Sequence, residues 1–171
     1  MRVSNEYDVT RDEGVSCPLG DDQIAAVCDR VLAEEGVERP CLVSVSLVGE
    51  DRIRAINAEW RGVDAATDVI SLECERPDDP ALAPGEPCEL GDIVLAPAYV
   101  ARQAVAFGTT EADEHRLLLV HGLLHLLGRD HLDEASAEAM EAREDALLAL
   151  VPTDGTLDRV VITRHREGAG A

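Results

Sequence analysis

The chain has 171 residues, 46% of them hydrophobic, with 35 acidic against 15 basic side chains and a formal net charge of -20. That length supports one domain around one core and is short for two. No apolar h-region marks the N-terminus and no run approaches the ~20 apolar residues of a membrane span, so a cytoplasmic protein without a membrane partner is expected.

All the basic residues are arginine. A field this negative repels polyanions at long range, so DNA is not an expected partner. Screening over ~8 Å still leaves a local arginine cluster able to act on its own. The five cysteines, Cys17, Cys28, Cys41, Cys74 and Cys88, are odd in number, scattered and without a C-x-x-C pair, which reads as reduced thiols filling space.

In chain order, Arg2 to Val9 predicts a strand. Asp21 or Asp22 can cap a helix whose apolar residues Ile24, Val27, Cys28, Val31 and Leu32 recur at i, i+3, i+4, i+7 and i+8, with Gly36 as its stop. Cys41 to Val48 alternates, Val43, Val45 and Leu47 on one face and Ser44 and Ser46 on the other, as a half-buried strand does. Asp51 to Trp60 carries Ile53, Ile56 and Trp60 at helical spacing and runs into Arg61-Gly62.

Asp68 to Leu72 and Asp92 to Ala96 are short β-branched runs that predict strands. Between them Cys74 to Glu89 holds Pro77, Pro80, Pro84 and Pro87, which predicts an exposed, mobile loop, a lid or a variable insertion. Pro97 suits the first turn of a helix ending near Gly108. Thr110 with Asp113 resembles a capping box for Glu111 to Leu127, and Asp133 opens a last helix to about Leu150.

Strands early and helices late predict an α+β fold: a single domain over residues 1-151, with a small mixed four-stranded sheet packed against about five helices. Residues 152-171 read as a partly disordered C-terminal tail in which DRVVITRH is a candidate extra strand.

The chemistry concentrates in HGLLHLLGRDH, His121 to His131. On a helix His121 and His125 sit one turn apart on the same face. Gly128 lets the chain leave the helix so that His131 can swing back as a third ligand. Three imidazoles and an open position make a zinc site of catalytic type. His115, six residues before His121, falls some 240° around the helix and reads as a surface residue, and Met140 reads as core. Asp130 either orients a ligand histidine or caps the next helix.

A zinc protease carries Glu after the first histidine as general base, and here the residue is Gly122. Zinc still makes hydroxide available near neutrality. The site therefore suits a reaction that mainly needs charge stabilisation, such as phosphodiester cleavage beside a cation. Arg61, at a helix-to-loop break before a strand, is the first candidate for that cation.

The segments NAEWRGVDAATDVISL, ELGDIVLA and LLLVHGLLHLLGRDH together resemble the YbeY family of metal-dependent endoribonucleases, over about Leu42 to Leu150. The resemblance implies one zinc ion held by His121, His125 and His131, and Arg61 as the cationic catalytic or RNA-contacting residue. Thr67 and Asp68 join Arg61 as substrate-side candidates, with Asp130 as a further catalytic candidate. It also implies single-strand-specific cleavage of ribosomal RNA, 3′ end processing of small-subunit RNA, ribosome quality control and contact with small-subunit proteins. The chain departs from the family's pattern at Leu72, Ala96 and Arg129. Two other readings stay open, a metal-binding ribosome-assembly factor without nuclease activity and a metalloprotease.

Overall fold

The computed structural model describes residues 4–129 and 133–151. Its elements follow the order β1 (Glu6–Arg11), α1 (Asp21–Glu34), β2 (Cys41–Leu47), α2 (Glu50–Arg61), β3 (Val69–Glu73), β4 (Cys88–Leu95), α3 (Pro97–Phe107), α4 (Glu111–Leu126) and α5 (Glu134–Leu148). The sheet has four strands in the order β1-β2-β4-β3. The β1-β2 and β2-β4 pairs are parallel, and β3 is an antiparallel edge strand on β4. This is the mixed sheet and five-helix α+β domain that the patterning predicts.

The alternation of β2 places Val43, Val45 and Leu47 in the main core, where the Ile24, Val27, Cys28, Val31 and Leu32 stripe of α1 and most of α4 meet them. The opposite face holds a smaller cluster, Val48, Ile53, Ile70, Val94 and Ala96, in which Ile53 of α2 is buried. The sheet is thus covered on one face by α4 and partly on the other by α2. Ala96, one of the departures from the family's pattern, is fully buried in that second cluster.

Three details differ from the expectations. The N-cap of α1 is Gly20, not an aspartate; its N–H is taken by Gln23 Oε1 at 2.8 Å, and the Asp21 carboxylate turns to Arg11 at 2.5 Å. The first strand is Glu6–Arg11, displaced toward the C-terminus, and β4 begins at Cys88 because Cys41 and Cys88 are register partners in the parallel ladder. The proline-rich loop is exposed over much of its length but strapped to the body. Arg39 donates to the carbonyls of Pro77 (3.0 Å), Ala83 (2.8 Å) and Glu86 (2.6 Å), three ties that the proline pattern does not foretell.

The cysteines are all free, with Cys28, Cys41 and Cys88 buried. No helix among the described residues is long and apolar enough to cross a membrane. The candidate strand in 152-171 lies outside the described residues.

Candidate metal centre

Helix α4 carries the site and is buried on nearly all sides: of Ala112 to Leu126 only His125 is partly open. A helix apolar around its circumference belongs inside a protein. Here α4 lies between the sheet and helices α1, α3 and α5. Polar groups on such a helix need partners, because an unpaired polar group in the interior costs ~1–3 kcal/mol. Asp113 and Arg116 pair at 2.6 Å, and Glu114 Oε1 accepts from Thr109 Oγ1 at 2.6 Å. Thr110 caps the first turn by accepting from the Asp113 N–H at 3.1 Å.

His115 is the clearest correction. It is fully buried, not on the surface, and its Nδ1–H donates to the Glu111 carbonyl at 2.8 Å. An angular offset of ~240° leads out of a protein only when the helix has an outer face, and this one has none there. Burial pushes the imidazole below the usual histidine range, against a smaller opposing pull from the Glu111 carbonyl.

His121 and His125 converge. Their Nε2 atoms lie 3.1 Å apart and their rings meet edge-on, with centroids 4.6 Å apart. Two imidazole nitrogens at ~2.05 Å from a tetrahedral ion lie about 3.3 Å from one another, so the spacing fits two ligands of a single cation. On its other side His121 Nδ1–H donates to Glu144 Oε1 at 2.5 Å, with both side chains buried. A carboxylate only accepts, so the proton sits on Nδ1 and the Nε2 lone pair faces His125. His131 and Asp130 lie outside the described residues, and among those described no group of three or more potential ligands converges.

Glycine at position 122 has a packing reason. A Cβ there would lie 3.1 Å from Ser71 Oγ and 3.3 Å from Ile93 Cδ1, so the helix sits directly on β3 and β4 at that residue. A side chain at residue 122 would point toward the sheet, against Ser71 and Ile93. Gly128, at φ +96°, closes the helix: its N–H reaches the His125 carbonyl and that of Arg129 the Leu124 carbonyl, each at 2.9 Å. The Arg76 guanidinium of the proline-rich loop rests against this turn, close enough that a Cβ on Gly128 would meet it.

Arg61 is the last residue of α2 and is exposed, followed by Gly62 in the left-handed conformation. The loop after it is pinned by Asn57 Nδ2, which donates to the Ala65 carbonyl at 2.9 Å. Asp68 is 9% exposed and faces inward: Oδ1 accepts from the Val69 N–H at 2.7 Å and Oδ2 from Gln103 Nε2 at 3.2 Å. Thr67 Oγ1 donates to the same carboxylate at 3.3 Å. The structure therefore gives Asp68 a fastening task at the head of β3, the strand whose Ser71 backs Gly122.

Two groups of the site escaped the sequence reading. Glu144 is one, although an acidic residue on the apolar stripe Ala137, Met140, Leu147 and Leu148 of α5 was a usable signal. Glu35 is the other: its carboxylate accepts from Arg129 and from Arg143, each at 2.8 Å, tying the end of α1 to the turn after α4 and to α5. Arg129, atypical for the family's pattern, has its partner there.

A small mixed sheet under a buried helix, with a carboxylate-backed pair of imidazoles on that helix, defines a single-domain α+β protein built around one polar centre. Residues 10–151 match the family model described as Endoribonuclease YbeY, and the chain belongs to that family. Relatives named Endoribonuclease YbeY include those of Moorella thermoacetica, 45% identical over 139 residues (77% of this chain, 88% of that one), and Chloroflexus aurantiacus, 35% over 147 residues (84% and 94%). The Salinispora tropica relative is 42% identical over 134 residues, 75% of this chain and 85% of its own. The fold is also similar to the solution structure of TM1509 from Thermotoga maritima, with a TM-score of 0.56 at 21% identity over 96% of this chain and 95% of that one.

Proposed function

We propose that the chain is a zinc-dependent endoribonuclease specific for single strands, acting in the cytoplasm on ribosomal RNA. Its tasks would be 3′ end processing of small-subunit RNA and ribosome quality control. The observation that carries this reading is the pair of Nε2 atoms 3.1 Å apart, one of them backed by Glu144, in a chain whose relatives are named for RNA cleavage.

His121 and His125, with His131 as the third ligand, would hold one zinc ion, and Asp130 would orient that third imidazole. When bound, the ion would supply Lewis acidity at the scissile phosphate. The chain's own residues do the rest. Arg61 donates to the phosphate oxygens as negative charge develops on them; its guanidinium is always charged and forked to match two oxygens. Thr67 stands on the substrate-side edge, and Asp68, turned inward to the Val69 N–H and Gln103, serves that edge by holding it in place. Residue 122 takes no proton, so the reaction is one that proceeds without a carboxylate base on the helix.

Cleavage of single-stranded and duplex RNA by the wild type, His121→Ala and Arg61→Ala tests this. The expected outcome is cleavage of the single strand alone, lost in both variants, with zinc binding lost only in His121→Ala. The charge of -20 supports small-subunit proteins, which are basic, as partners. It also favours a second reading, an assembly factor without nuclease activity. Co-purification with small subunits and no cleavage under any metal would decide for that one. The protease reading loses ground because position 122 carries no base and a side chain there would meet Ser71 and Ile93.

A further inference from the structure

We propose that Glu144 is the positioning residue of the centre, holding His121 in the one tautomer and orientation that can accept a metal; the inference rests on the metal-holding reading of the histidine pair.

Glu144 is 3% exposed, on the face of α5 that also buries Ala137, Met140, Leu147 and Leu148. Packing alone would favour an aliphatic side chain there, since a buried carboxylate is costly to desolvate unless paired. The arginine beside it in sequence does not supply the pairing: Arg143 is turned to Glu35 and to the Glu34 carbonyl at 2.9 Å. Among the described residues the hydrogen-bond partner of Glu144 is His121, across 23 positions of sequence.

That bond has two effects on the far side of the ring. It keeps the proton on Nδ1, which removes the tautomer that would point N–H at His125. It also places negative charge behind the imidazole, which makes Nε2 a stronger donor to a cation. Because Glu144 belongs to α5 and His121 to α4, the docking of α5 becomes a condition for the site, and the stretch joining the two helices is the one that carries His131.

The experiment uses the full chain stripped of metal by a chelator. Zinc affinity is measured by competition with a chromophoric chelator for the wild type, Glu144→Gln and Glu144→Met, and the His121 tautomer is read from imidazole nitrogen shifts in the metal-free protein. The expected wild-type ring is protonated at Nδ1. Glu144→Gln keeps an acceptor, so it keeps that tautomer and loses less than about tenfold in affinity. Glu144→Met should populate the other tautomer and weaken zinc by ~10- to 100-fold.

A purely structural role would instead lower the melting temperature of the metal-free variants and leave zinc affinity alone. Should Glu144→Met fail to fold, the wild-type tautomer and the Gln variant carry the decision. Equal affinity in all folded proteins, or a wild-type ring protonated at Nε2, overturns this inference alone. A wild type that binds no zinc overturns the metal reading and the inference with it.

Discussion

Gly122 looks in sequence like a protease helix with its base deleted, and in three dimensions like a contact point. With Ser71 Oγ 3.1 Å and Ile93 Cδ1 3.3 Å from where a Cβ would stand, even alanine requires Ser71 or Ile93 to give way by a few tenths of an ångström. Gly122→Ala should therefore destabilise the metal-free protein by ~1–3 kcal/mol, the usual range for overpacking, read as a drop in melting temperature; an unchanged melting temperature would mean the strand yields freely. Arg61 belongs to the other class of residue, exposed and outside the core. Its replacement by alanine should leave stability and zinc affinity alone and lower single-strand cleavage by ~10²- to 10³-fold, as loss of one aimed cationic donor does. Residue type was enough to single out both positions. The carboxylate of Glu144 was harder to find, because its meaning depends on a partner in another helix.

At the level of elements, periodicity matches α1 and β2, since their burial follows the 3.6 and 2.0 repeats, whereas α4 is marked by its Thr110 cap and is buried without a repeat. It failed where the environment, not the repeat, decides. The start of β4 is set by pairing with β2, and Cys88-Glu89 has no strand pattern of its own. The burial of His115 does not follow from its helical offset, because α4 is enclosed on nearly all sides. That enclosure has a pH signature. With its folded pKa held below the usual range by burial, His115 leaves the unfolded chain to take up a proton first as pH falls past ~6.5. Stability is thus lost below that pH and is untouched by this group above it. In the presence of chelator, His115→Gln should show a flatter fall in melting temperature from pH 7 to pH 5 than the wild type; parallel curves would contradict the assignment. The Glu35 tie is a second element-scale device. Glu35→Ala releases Arg129 and Arg143, which are 44% and 29% exposed, so solvent should limit the loss to about 1 kcal/mol. Zinc binding should weaken along with it, because the tie fastens the turn after the histidine helix.

For the whole molecule, the charge of -20 sets the terms on which RNA can be met. Only a local arginine such as the exposed Arg61 offers a cation, because Arg76 on the Gly128 turn is paired with Glu73 at 3.1 Å, and one phosphate contact on a single strand gives a salt slope of about -0.7. Binding that fell much more steeply with salt would point to a basic groove that this chain does not need. Fold class, the histidine helix and the family resemblance were all legible because they rest on local spacing. The strapped loop, the Glu35 tie and the Glu144 bond were not, because each joins segments far apart in sequence. The central claim is that the histidine pair serves a metal and the metal serves RNA cleavage. Its most direct test is to strip the chain with chelator and titrate zinc back while following cleavage of a single-stranded RNA. The expected result is no cleavage by the metal-free protein and recovery that levels off at about one equivalent of zinc. Undiminished cleavage by the metal-free chain would contradict it.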